Sequence, residues 1–130
     1  MRICVCGGRD YFNAAKVNEV LDYAYKRKPF VLISGGATGA DTLAIQWARS
    51  RKVPCEVYPA QWRLFGRGAG PIRNHQMIGT GIDVLLAFPG GRGTQHMIKA
   101  CLRHKVKVIM ITDDTICPET NQSETLTPEG

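Results

Sequence analysis

Short apolar runs alternate along the chain with segments whose apolar residues recur at helical spacing. The runs at 3–6, 30–33, 55–58, 84–88 and 106–111 are largely continuous, as in strands buried on both faces of a parallel sheet. Between them, Val17, Val20, Leu21 and Ala24 mark one helix. Ala40, Leu43, Ala44, Trp47 and Ala48 fall at i, i+3, i+4, i+7 and i+8 of a second. A third spans 94–103 with Met97, Ile98, Cys101 and Leu102 inward, and a short one starting near Arg73 would bury Met77 and Ile78. The stretch 62–77, broken by Gly66, Gly68, Gly70 and Pro71, reads as a long irregular excursion of the functional or mobile kind. Alternating strands and helices imply right-handed crossovers and an α/β three-layer sandwich with a mainly parallel sheet.

At 130 residues the chain reads as one domain, residues 1–111, followed by an acidic tail, 112–130. The net charge of +6 conceals an asymmetry. All 17 Lys and Arg precede residue 112 and face six acids there, a balance of +11; the other five acids lie in the tail with no base. Such a body attracts phosphates or nucleic acid, whereas the Thr-, Pro-, Glu- and Ser-rich tail reads as a flexible, solubilising end. No signal-peptide pattern precedes the first strand, and no apolar stretch approaches the ~18 residues of a membrane span. The five cysteines show neither Cys-x-x-Cys nor zinc-finger spacing, and Cys4-x-Cys6 has no His or Cys cluster beside it. His75, His96 and His104 show no ligand spacing either. The expectation is a reduced, cytoplasmic protein without a metal, cofactor or membrane partner.

Two glycine loops stand out, Gly35-Gly36-Ala37-Thr38-Gly39-Ala40-Asp41 and Pro89-Gly90-Gly91-Arg92-Gly93-Thr94. Each closes an apolar run and opens an amphipathic helix, whose first turn offers free N–H groups and a positive dipole end to an anion. In α/β sheets ligands bind beyond the carboxyl ends of the strands. On that edge every base is an arginine (Arg9, Arg63, Arg67, Arg73 and Arg92), the residue whose planar fork suits phosphate oxygens. Bases such as Lys26, Lys28, Arg49 and Lys52 cluster instead at helix carboxyl ends, where they offset the dipole.

The first loop lacks the Lys-Ser/Thr of a Walker A motif and the Gly-x-Gly-x-x-Gly spacing of dinucleotide folds. Asp41, in the first helical turn, suits capping as well as it suits catalysis or ribose binding. Thr38 fits a ligand oxygen or a turn. In the second loop, Thr94 is a candidate both to cap the helix and to bind phosphate. Arg9-Asp10 follows the first strand, with Asp10 or Asn13 as N-cap of the next helix. Trp62 fits base stacking or anchoring of its loop, and His96 is an acid–base candidate beside the second loop.

Gly8-Arg9-Asp10, Ser34-Gly35-Gly36-Ala37-x-Gly39-Ala40-Asp41, Gly70-Pro71-Ile72-Arg73-Asn74-x-x-Met77 and Phe88-Pro89-Gly90-Gly91-x-Gly93-Thr94 occur in that order. Over residues 2–111 the chain resembles the YspA-like branch of the SLOG superfamily, which also contains the DprA/Smf and LOG proteins. The resemblance implies a Rossmann-like fold, a nucleotide or nucleotide-derived ligand and a homo-oligomer. LOG enzymes cleave the N-glycosidic bond of nucleoside monophosphates, with a glutamate three residues after the threonine; here that position is Met97. Cleavage here would therefore fall to Asp41 or Asp10. DprA-like relatives bind single-stranded DNA, for which Trp62 or Tyr11 would supply stacking.

The leading expectation is a sensor or enzyme binding a nucleotide or a phosphoribosyl small molecule, with nucleotide N-glycosidase and single-stranded DNA binding as alternatives. Phosphate would lie on Gly35, Gly36, Gly39 and the loop Pro89, Gly90, Gly91, Arg92, Gly93, Thr94, with Gly8 and Arg9 alongside. Arg73 and Arg92 would neutralise charge, and Asn74 and Asp41 would address sugar hydroxyls.

Overall fold

In β1 (Arg2–Cys6) alternate side chains divide between two hydrophobic cores. Ile3 and Val5 join one, and Cys4 and Cys6 the other. The same division runs through β2 (Val31–Ser34), with Leu32 and Ile33 on opposite sides, and β4 (Val84–Ala87), with Leu86 and Leu85. Strands buried on both faces cannot show polar alternation, which is why these runs are continuously apolar.

The computed structural model describes residues 1–117 and the backbone of the strand Thr127–Pro128. The five-stranded sheet has the order β3-β2-β1-β4-β5, where β3 is Cys55–Val57 and β5 is Lys107–Met110. All pairings are parallel, with Ile3 opposite Leu32 on one side and Val84 on the other. Helices α1 (Ala14–Arg27) and α2 (Ala40–Arg51) contribute Val17, Val20, Leu21, Ala44 and Trp47 to the first core. There the Phe30 and Trp47 rings stack at 5.8 Å. The second core takes Met77 from α4 (Ala69–Gly79) and Met97, Ile98 and Cys101 from α5 (Arg92–Arg103). This is the Rossmann-like three-layer arrangement.

Two local readings need correction. Residues 62–77 are not irregular: α3 (Trp62–Phe65) and a 3₁₀ turn (Gly66–Gly68) lead directly into α4. Gly66, at φ +54°, breaks the helical path at the end of α3. Pro71 lies in the first turn of α4, where a missing N–H costs nothing. Arg73 and Asn74 consequently sit in the second turn rather than at a helix start. Leu102, expected inward, is exposed, because it falls at the rim of the stripe formed by Thr94, Met97, Ile98 and Cys101.

Helix α1 is capped by Asn13, whose Oδ1 accepts from the Lys16 N–H at 3.1 Å. The segment after β5 lies against this end. Asp113 Oδ1 accepts from the Tyr11 hydroxyl at 2.9 Å and from Asn13 Nδ2 at 3.1 Å. Lys16 Nζ donates to Thr115 O at 2.7 Å. Strand β6 (Thr115–Ile116) then pairs antiparallel with β7 (Thr127–Pro128). The remainder of the expected tail, 118–126 and 129–130, lies outside the described residues. No helix among the described residues is long and apolar enough to cross a membrane.

Candidate functional site

Strand β1 connects through α1 to β2 on one side, and its other neighbour is β4, so the strand order reverses between β1 and β4. Ligand crevices in open α/β sheets form beyond the carboxyl ends at such a point. Here Gly8 draws the loops together. Its N–H donates to Pro89 O at 2.8 Å, and its carbonyl accepts from the N–H groups of Tyr11 and Ala40, both at 3.2 Å.

Close approach of these backbones requires glycine at two positions. A Cβ on Gly39, which holds φ +80°, would collide with Gly8 O and the Arg9 carbonyl. A Cβ on Gly90 would collide with Thr94 Oγ1 and with the Gly8 N–H. These two glycines and Pro89 hold the loops in place; none of them lines the cavity that results.

That cavity encloses about 610 Å³. Gly8, Arg9 and Asp10 border it after β1, and Asp41 enters from α2. Arg73 and Asn74 come from α4, and Gly91, Arg92, Gly93 and Thr94 form the first turn of α5. A second hollow of about 290 Å³ adjoins it and takes in Gly35, Gly36 and Thr38. Most of the sequence-derived candidates thus converge on one edge of the sheet.

The amino ends of α2 and α5 differ in their electrostatics. In α2, Ala40 N–H is already bonded to Gly8 O, and Asp41 Oδ2 accepts from the Ala37 N–H at 3.2 Å. In α5 the N-cap is Gly91, no side chain caps the end, and no acid occupies the first turn. The reading of Thr94 as cap is therefore corrected: it lies two residues inside the helix. The residue is only 6 % exposed, and its hydroxyl makes no hydrogen bond among the described residues. No fully buried side-chain nitrogen or oxygen among the described residues lacks a partner, so the Thr94 oxygen is not wholly enclosed, and the residue borders the cavity.

Positive charge surrounds this end. Among the described residues, ion pairs join Arg2 to Glu56, Lys16 to Glu19 and Arg51 to Asp22, and none of them involves a cavity arginine. Arg73 is braced instead by neutral oxygens: Nη1 donates to Gly35 O at 2.7 Å and Nε to Asn74 Oδ1 at 3.0 Å. Asn74 Nδ2 lies 3.1 Å from His96 Nδ1. Arg9 rests over the Trp62 ring, 5.3 Å from its centroid.

Asp41 is the buried acid of the site, 7 % exposed. Burial pushes its carboxyl up to about 6, against the opposing pull of the Ala37 N–H, Arg73 and Arg9. His96 is held below its ordinary value by burial first, then by His75 and Arg103. Met97, at the LOG-type glutamate position, is buried in the second core with only its edge at the cavity wall. Tyr11, considered for stacking, is buried against Phe88 with ring centroids 5.5 Å apart. Trp62, in contrast, is 48 % exposed and borders both hollows. Among the described residues no group of three or more His, Cys, Asp and Glu is placed to hold a metal ion.

Two contributors escaped the sequence reading. Gly7 lies at the end of β1 against the Cβ atoms of Ala40 and Phe88, where any side chain would force α2 and the end of β4 away. The signal was present: Gly7-Gly8 repeats the strand-glycine-helix pattern of the other two loops. The Ala37 N–H, which anchors Asp41, has no side-chain signature at all.

The chain is similar to known proteins and matches a family model. The Gene 61 protein of Mycobacterium phage D29 is 35 % identical over 121 residues, covering 86 % of this chain and 97 % of the phage protein. The X-ray structure of DNA processing protein A (DprA) from Streptococcus pneumoniae matches at 16 % identity with a TM-score of 0.49. That match covers 83 % of this chain, which spans 58 % of the DprA chain. Residues 1–65 match the model of the YspA, cpYpsA-related SLOG family, and the chain belongs to that family.

Proposed function

We propose that this protein binds a nucleotide, or a nucleotide-derived phosphoribosyl small molecule, as a sensor or an enzyme. The observation that carries this reading is the Thr94 hydroxyl, unpartnered among the described residues at the uncapped first turn of α5. A hydroxyl beside a crevice, with no partner among the described residues, is free to bond a ligand oxygen without breaking a bond of the fold. Arg9, Arg67, Arg73 and Arg92 border the same space without an ion pair among the described residues, which suits a ligand carrying several negative charges. Asn74 and Asp41 are the polar groups suited to ribose hydroxyls.

Thermal unfolding with nucleosides and their 5′-monophosphates tests this. A specific ligand raises the melting temperature, and does so the more its concentration exceeds its dissociation constant. Stabilisation by one or more monophosphates, and not by the matching nucleosides, is the expected result. If none stabilises, or nucleosides do so equally, the phosphate site is lost. A single-stranded nucleic acid ligand would instead lose affinity steeply with added salt across many oligonucleotides.

A second reading, hydrolysis of the N-glycosidic bond of a nucleoside 5′-monophosphate, draws on Asp41. A buried carboxyl with a value near 6 is suited to exchanging a proton near neutral pH. Release of free base from bound monophosphate would support turnover. Binding without base release would leave a sensor.

A further inference from the structure

The larger cavity adjoins the smaller hollow, and Arg9, Ala37, Trp62 and Arg73 border both. The smaller lobe is walled by Gly35, Gly36 and Thr38 on one side and by Pro59 and Ala60 on the other. It contains no acidic side chain, and the Thr38 hydroxyl makes no hydrogen bond among the described residues. Two guanidinium groups stand at the waist between the lobes. Arg9 is set by its stacking on Trp62. Arg73 is set by Gly35 O and Asn74 Oδ1, which leaves Nη2 without a partner among the described residues. A Cβ on Gly35 would collide with the Arg73 guanidinium, so glycine at this position is what admits the cation to the waist.

A monophosphate seated on α5 would leave this waist and the lobe behind it unused. Two fixed cations at a constriction suit a second anionic group, and a lobe beyond it bounded by Thr, Pro and Ala suits a neutral organic one. Resting on the nucleotide reading above, we infer that the ligand is a nucleoside diphosphate ester. One phosphate lies on the first turn of α5 and Thr94, and the second lies between Arg9 and Arg73. The group esterified to the second phosphate fills the smaller lobe against Thr38, Pro59 and Ala60.

Isothermal titration of the full chain with three probe series tests the inference. These are the 5′-monophosphates of adenosine, guanosine, cytidine and uridine, their 5′-diphosphates, and their diphosphate sugar esters. For the preferred base, the diphosphate ester binds at least about tenfold more tightly than the monophosphate. Ala60→Trp, which fills the smaller lobe, removes that advantage and leaves monophosphate affinity unchanged. Thr38→Glu, on an exposed position and so without cost to folding, weakens the ester selectively by like-charge repulsion. Equal affinities for monophosphate and ester, or an ester affinity indifferent to both variants, overturn the two-lobe ligand while leaving the nucleotide site intact. Absence of binding in all three series removes the nucleotide reading as well.

Discussion

Two glycines occupy the same position in two similar junctions, and the structure uses them in opposite ways. Gly39 is the N-cap of α2 and Gly91 the N-cap of α5. Gly39 holds φ +80° with its missing side chain directed at the Gly8 and Arg9 backbone. Gly91 holds φ −98°, and a Cβ there would meet nothing within 4 Å. Neither end has a side-chain cap, but at the first, Ala40 N–H is taken by Gly8 O and the acid Asp41 occupies the first turn. The second is left open to the cavity. A glycine-rich strand-to-helix loop is therefore not one kind of feature. One assembles the crevice, and the other faces what enters it.

The largest expected effect tests the assembling role. Gly39→Ala places a Cβ against a carbonyl oxygen in a backbone conformation that L residues rarely adopt. It should destabilise the protein by more than about 3 kcal/mol. Gly91→Ala should stay within about 0.5 kcal/mol of the parent. Denaturant unfolding of both variants checks the contrast, and equal losses would abolish it.

Asp41 sharpens the comparison through pH. Its folded-state value is raised from 3.8 to about 6, chiefly by burial. A raised carboxyl favours the folded state while protonated and loses that contribution as pH climbs through the folded value. Asp41→Asn removes the dependence. As pH rises from about 3.5 to about 7, the stability difference should therefore shift toward the variant by up to about 3 kcal/mol. Chemical denaturation at several pH values measures the shift; parallel curves would mean the carboxyl is not held in a desolvated state.

The division between the two ends also marks where sequence reasoning works. The five strands of the parallel sheet were readable to within a residue or two, because burial on both faces leaves continuous apolar runs such as that ending at Ala87, whereas β6 and β7 fell in the stretch read as a tail. Convergence of the candidates on one edge followed from strand order, which alternating elements largely determine. The continuous helical stretch around Pro71 was hidden, since a proline and three glycines read locally as breakers although a first helical turn tolerates proline. The separate duties of Gly39, Gly90 and Gly91 were also hidden. Each depends on a partner distant in the chain, Gly8 above all, and no local pattern records that distance.

At the open end, Gly91 borders the cavity and a Cβ there would meet nothing within 4 Å, so Gly91→Val adds bulk beside the space left for the ligand. Affinity for the stabilising nucleotide should fall about tenfold or more, equivalent to about 1.4 kcal/mol, while unfolding stays close to the parent. Titration calorimetry alongside denaturation separates the two. Undiminished binding by a folded Gly91→Val protein would place the ligand elsewhere.

The smallest structural change is the most discriminating, because it removes one hydroxyl and little else. Thr94→Val keeps the β-branched shape that packs over Gly90, and the lost hydroxyl had no hydrogen-bond partner among the described residues. A group with no partner in the fold has no bond to lose on substitution, so stability should hold or rise slightly. If that hydroxyl donates to a phosphate oxygen, affinity should fall by about 1.5–3 kcal/mol for a bond to a charged group, or by less where water replaces it. Thr94→Ser, which keeps the oxygen, should recover most of the loss. Loss of stability in the valine variant with affinity unchanged would make Thr94 a structural residue, and the open end of α5 would no longer be distinguished from the closed end of α2.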